Sequence, residues 1–257
     1  NTISATRPTW VARITKPELS GFHVTLWEGS VYDFVGVAMP IHRWVAAAGI
    51  VRLASGEFDK RDDQFNKTGT FQIGQGASFL GTARPLGRGV SVGAAAKLVR
   101  ETVADTAASG AGADVGLTWH PRSTWPGRKS RARWLEPLHL GAAVQNAVPP
   151  AVKFVSSVER YPASYRVGAA YRLKDPAGRR EWLGVSGDLS RISGGRVLGR
   201  AGLEYWPVPL LGLRAGYGDG RPAAGAGFRY RNYAIDYALG LHDLGITHRV
   251  SALIRGD

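Results

Sequence analysis

Six histidines, His23, His42, His120, His139, His242 and His248, are the side chains of this sequence best suited to proton transfer or metal ligation. None falls in an HExxH pattern or another metal-ligand spacing. The chain has no cysteine, which excludes thiolate metal sites and disulfides. One catalytic set can be composed from neighbouring strands near the end of the chain. Asp236, His248 and Ser251 have the residue types of a Ser-His-Asp hydrolase, and an outer-membrane lipase or esterase would be its setting. Strand parity separates them. His248 shares a face with Ile246 and Val250, whereas Ser251 lies on the other face with Arg249. The sequence therefore carries no expected catalytic residue, metal or cofactor, and it is read as a non-enzyme.

The isolated charges on strand-like stretches are more informative. In FRYRNYAIDYALGL, residues 228–241, Tyr233, Ile235, Tyr237, Leu239 and Leu241 alternate with Ala234, Asp236, Ala238 and Gly240. A period of two is a β-strand. The same asymmetry recurs in GVSVGAAAKLVR, GADVGLTW, SYRVGAAYRL, RAGLEYW and LGLRAGY. One face is large and apolar and often ends in Tyr or Trp. The other is Gly and Ala with single charges of both signs. A face meeting bulk water would carry many Lys, Glu, Ser and Thr. Small residues and sparse charges suit a confined interior, and aromatic strand ends suit the two interfaces of a membrane.

The chain reads as about fourteen strands, near 21–28, 31–39, 43–54, 69–82, 88–101, 104–119, 134–146, 160–173, 181–190, 195–206, 209–217, 223–231, 232–241 and 245–255. Helical periodicity is absent, and no linker interrupts the run. Residues 1–20, with Pro8 and Pro17, form a lead-in segment, and 21–257 a single domain. The fold class is all-β: a closed antiparallel transmembrane β-barrel of about 14 strands, in the bacterial outer membrane and in contact with its lipid. A mean hydropathy of −0.14 fits a wall in which half of each strand is polar. The net charge of +13 raises nucleic acid as a partner, but the arginines are spread singly along strands and no basic helix is present, so no nucleic acid is expected.

The order KLV, DVGL, GAAVQN, SYRVGAAYRL, GLEYW, LGLRAGY, GAGFRYRNYAIDYAL and LGITHRVSALI resembles the PorV/PorQ-like family of the FadL-like outer-membrane barrel superfamily. VTLWEGSVYDFVGVAMPI is similar to that family's early strands, so the likeness runs from about residue 20 to 255. The resemblance implies a fourteen-stranded barrel without an active site. It implies a binding or assembly role in a surface or protein-secretion complex, with protein partners, as in the shuttle component of type IX secretion. The wider superfamily implies the alternative, a channel for hydrophobic small molecules. The Gly/Ala-rich segment with an Asn-Pro-Ala-Gly motif that the family uses as a lumenal plug is not found in this sequence, and SALIRGD does not end on an aromatic.

Three groups of residues are singled out. By parity Asp33, Arg52, Lys97, Asp114, Arg166, Arg172, Asp188, Arg200, Arg231 and others face the lumen, and Glu204, Arg214, Arg229, Asp236 and Arg249 form a cross-strand charge network there. Such charges either brace the barrel as ion pairs or, since Arg outnumbers the acids, bind anions. With the N-terminus in the periplasm, the loop at 149–162 is external, and Val152, Phe154, Val155 and Val158 are expected to bind a partner, or else to fold over the barrel mouth as a lid. Arg122, Arg128, Lys129, Arg131 and Arg133 make a basic periplasmic loop within 120–134, suited to a periplasmic partner or lipid headgroups.

Overall fold

The computed structural model describes residues 14–121, 135–154, 157–175 and 180–256. The basic loop residues Arg122, Arg128, Lys129, Arg131 and Arg133, and also Val155, lie outside the described residues.

Alternation of large outward and small inward residues produces long antiparallel strands: β1 (Glu18–Thr25), β2 (Val31–Ile41), β3 (Trp44–Ala54), β6 (Ile73–Gly87), β7 (Val90–Val103), β8 (Thr106–Trp119), β9 (Leu138–Val148), β12 (Ser164–Lys174), β13 (Glu181–Ile192), β14 (Val197–Tyr205), β15 (Leu211–Gly218), β16 (Arg221–Tyr230), β17 (Tyr233–His242) and β18 (Gly245–Arg255). These strands close into one barrel, with each paired to its sequence neighbours in the wall and β18 paired back to β1. Closure leaves no unpaired edge, which a membrane requires. Two short hairpins lie outside the wall: β4 (Phe58–Arg61) with β5 (Lys67–Phe71), and β10 (Ala151–Lys153) with β11 (Val158–Arg160). Neither hairpin was expected from the sequence, because their strands are too short to show a period.

Tight turns set the register. In the two-residue turns Arg88-Gly89 and Asp219-Gly220 both residues have positive φ, as a type I′ hairpin requires. An even number of strands brings β1 and β18 to start and finish at the same end. We call this the termini end; among the described residues it also carries 42–43, 88–89, 120–121, 135–137, 206–210 and 231–232. The opposite, loop end carries the two extra hairpins. The termini end is the one that the sequence reading, with the N-terminus in the periplasm, assigns to the periplasmic side.

The outward face is an apolar belt. Val35, Ile50, Leu80, Leu98, Val167, Leu203, Tyr233 and Ile235 are all well exposed on it. What is buried lies inside: Val24, Phe34, Val45, Ala83, Val99 and Ala108. Rings of Phe22, Tyr32, Phe34 and Phe79 line one lumenal flank, with Phe22 and Phe34 centroids 5.2 Å apart and Phe34 and Phe79 6.0 Å apart. Gly49 makes room for them, since a Cβ there would come within 2.4 Å of the Phe79 ring.

The register corrects three of the parity assignments. Phe34 is buried and Val35 exposed, so Tyr32 points inward and Asp33 outward. Arg52 is the direct partner of Asp33 and faces outward with it. Arg231 occupies the turn after β16 and lies over the Tyr230 ring. The error has a physical cause. In VYDFVGVAMPI both faces are apolar, because the lumen here holds aromatic rings, and size no longer marks the inward side.

Candidate functional site

The lumenal charges gather at two levels. Toward the termini end, β14 delivers Glu204, β15 Arg214, β16 Arg229 and β17 Asp236, all of inward parity. Arg214 bridges the two acids, at 2.6 Å to Asp236 and 3.3 Å to Glu204, and Arg229 reaches Glu204 at 3.5 Å. Trp206, in the turn after β14, folds inward and is almost fully buried. Its Nε1–H donates to Glu204 at 2.7 Å, and the Arg229 guanidinium lies 3.8 Å from its ring centroid. A Cβ on Gly212 would strike this ring, at 2.6 Å, so glycine is required where the indole crosses β15. Gly227 does the same for the Arg214–Asp236 pair, with Asp236 Oδ1 only 2.1 Å from the position of a Cβ. Arg249 stands apart from this group. It lies over the Phe22 ring at 5.4 Å, and no carboxylate among the described residues pairs with it.

At mid-height Asp188 of β13 sits between Arg166 of β12, at 3.6 Å, and Arg200 of β14, at 3.5 Å. The composite of Asp236, His248 and Ser251 does not assemble. His248 points outward, with its Nδ1 2.8 Å from the Tyr237 hydroxyl, while Asp236 is held by Arg214 inside the wall. Among the described residues no group of three or more His, Asp or Glu is placed to hold a metal ion.

At the loop end the hairpin of β10 and β11 folds down into the barrel mouth. Val152 and Pro150 are fully buried. β10 packs on the inner face of β8, where Gly110 and Gly112 leave space for it. A Cβ on Gly110 would lie 2.4 Å from the Ala151 carbonyl oxygen, and one on Gly112 2.5 Å from Pro150 Cγ. Buried Asp114 anchors the root of the loop. It pairs with Lys97 at 2.5 Å and accepts the Asn146 N–H at 2.7 Å. Asn146 adopts positive φ, and the β8–β9 register shifts there. The Tyr161 hydroxyl closes the hairpin onto the wall by donating to Glu101 of β7. Burial, followed by that hydrogen bond to an acid, pushes the Tyr161 phenol above its ordinary value, so it stays protonated across the neutral range. Val152 therefore does not form part of an exposed anchor. Of the three described residues, Val152 is spent inside, Phe154 is half-buried and Val158 is well exposed.

The wall itself has a feature that the sequence did not reveal. Across β8, β9, β12, β13, β14 and β15 the direct register partners on the outward face run Trp119, Leu140, Ala169, Gly187, Ala201 and Tyr217. Large residues at both ends and small ones between them leave a trough of about 790 Å³. Val167 and Leu189 form part of its walls, and Gly168, Asp188 and Arg200 close its floor. At Ala169, Gly187 and Ala201 the barrel is little more than one backbone thick, and the mid-height charge group stands directly behind. No period reports this row, because its members come one each from six different strands.

No protein-family model matches the sequence, and no curated protein matches it. Solved structures do. The Ralstonia pickettii toluene transporter TbuX is 15% identical with a TM-score of 0.62, over 97% of this chain and 91% of that one. The Pseudomonas putida toluene transporter TodX is 12% identical with a TM-score of 0.64, over 97% and 91%. A Pseudomonas aeruginosa FadL homologue is 12% identical with a TM-score of 0.62, over 96% and 92%. The chain thus has the fold of these FadL-type barrels, a closed antiparallel β-barrel of fourteen strands. These similar structures are transporters and FadL-type barrels, not enzymes and not secretion components. That overturns the assembly role in a surface or secretion complex expected from the PorV-like resemblance.

Proposed function

We propose that this protein is an outer-membrane channel for small hydrophobic molecules. The trough carries the reading. It places an apolar cavity of about 790 Å³ on the bilayer side of a thinned wall, with the lumen immediately behind. An apolar solute gains roughly 25 cal/mol for each Å² it removes from water, a gain it keeps when it passes from the barrel interior into hydrocarbon, and an apolar trough at the thinned wall gives that passage no polar barrier on the lipid side. Both ends of the lumen carry inward-packed residues, the β10–β11 hairpin at one and Trp206 with its arginines at the other. A route through the side of the wall suits a molecule whose destination is hydrocarbon. The toluene transport ascribed to TbuX and TodX agrees with this class of solute. The PorV-like likeness of the last strands adds no function of its own to this reading.

The test fills the trough. A Cβ at Gly187 would meet nothing nearer than the Arg200 carbonyl oxygen at 3.5 Å, so Gly187→Phe is tolerated by the wall. Toluene uptake by cells carrying the protein should fall about tenfold in Gly187→Phe and in Ala201→Phe, with folded barrel in unchanged amount. Uptake by the parent chain no greater than in cells lacking it, or uptake unchanged in both variants, sinks the reading.

A further inference from the structure

Near the loop end, six neighbouring strands present a polar row on the face that meets lipid. His23, Asp33, Arg52, Gly76, Arg100 and Ser109 are successive direct register partners across β1, β2, β3, β6, β7 and β8. All six have outward parity, as the exposed neighbours Val35, Ile50, Leu80 and Leu98 on the same faces show. Below this row the outward positions of the same strands are apolar or small down to Arg84, which lies over the Trp44 ring at 5.0 Å. From Gly76 to Arg84 along β6 is about 20 Å at roughly 3.3 Å per residue on a tilted strand. That is close to the ~25 Å height of an apolar belt, so the row lies at the level of outer-leaflet headgroups.

The pairing within the row is selective. Asp33 is turned to His23, with its Oδ1 2.6 Å from Nδ1. It makes no ion pair with Arg52, its direct partner on the other side. Among the described residues neither Arg52 nor Arg100 pairs with an acid, although both are exposed. They stand two strands apart, about 10 Å between Cα atoms, with Gly76 as a notch between them. Two planar, permanently charged guanidinium groups facing one gap match the oxygens of a single phosphate.

We propose that this row binds the phosphorylated head group of an outer-leaflet glycolipid, with Arg52 and Arg100 clasping one phosphate over Gly76 and Ser109 donating at the edge. The acyl chains of the lipid would then lie down the apolar face past Leu80 and Leu98. This site is separate from the trough and does not depend on what the lumen carries.

The experiment titrates the detergent-purified barrel with a hexa-acylated, bisphosphorylated glucosamine disaccharide and with its dephosphorylated form, and reads bound lipid by native mass spectrometry. The parent protein should retain the phosphorylated lipid at least tenfold better. Arg52→Ser with Arg100→Ser should lose that preference, and Arg221→Ser, another loop-end arginine, should keep it. If the double variant does not fold, Gly76→Phe fills the notch while keeping both charges, and it should lose the preference too. Equal retention of the dephosphorylated lipid, an unchanged preference in both the double variant and Gly76→Phe, or equally strong retention of phosphatidylglycerol would overturn the proposal.

Discussion

Arg214 shows what a charge does inside this wall. Its side chain is only 19% exposed and serves two carboxylates at once. Removing it strands Asp236 and Glu204 in a confined space. Arg214→Ala should cost about 3 kcal/mol of stability, measured by denaturant unfolding in micelles. Arg221→Ala removes a partner of Asp243, which is 83% exposed, and should cost less than about 1 kcal/mol. The inward direction of Glu204, Arg214, Arg229 and Asp236 is legible in the sequence, because Arg214 and Asp236 sit between small residues of their own parity and Glu204 and Arg229 each follow a glycine of theirs. Trp206 is not, since its inward turn depends on a glycine six residues away on the next strand, Gly212, and a turn residue has no parity. Asp33 and Arg52 misled for the reason given above: rings fill the lumen beside them. Arg249 was read as facing inward, and it does, but its partner is an aromatic face, which parity cannot name.

The β10–β11 hairpin is a device at the scale of an element. Its prolines and clustered valines were visible in the sequence, and both an exposed anchor and a lid were compatible with them. The choice between the two is made elsewhere in the chain, by Gly110, Gly112 and Asp114 on β8. Gly110→Val places atoms where the Ala151 carbonyl now lies, so the hairpin must lift out of the mouth. Trypsin should then cut after Lys153 or Arg160 at least tenfold faster than in the parent protein, while the barrel keeps its heat-resistant migration. Unchanged cleavage would show that the hairpin does not depend on the space at Gly110. The β4–β5 hairpin is held differently, by polar contacts and by the Phe58 ring against that of Phe71, with centroids 5.6 Å apart. Lys67 bonds to Asp59 and holds that carboxyl below its ordinary value, and the Asn66 N–H does the same for Asp62.

At the scale of the whole molecule, the alternation that the sequence displays is the barrel. Nearly every wall strand expected from period alone is present within a few residues, because each carries its own inside and outside. Ile235, 56% exposed and two residues in from the start of β17, belongs to the lipid face. Ile235→Arg at this intermediate depth should cost roughly 1–3 kcal/mol in a bilayer, read from unfolding in vesicles of defined thickness. A cost near zero would place that face in water. What the sequence could not show is anything that spans many strands at one height, which is why the trough and the outward polar row escaped notice. The seam between β1 and β18 has a kinetic meaning. Glu18 and Arg255 are register partners joined at 2.9 Å, yet almost the whole chain lies between them. Until the last strand arrives, the sheet has two raw edges that can join those of another copy. Assembly is therefore a race between closure and aggregation that cannot be won before the final strand is present.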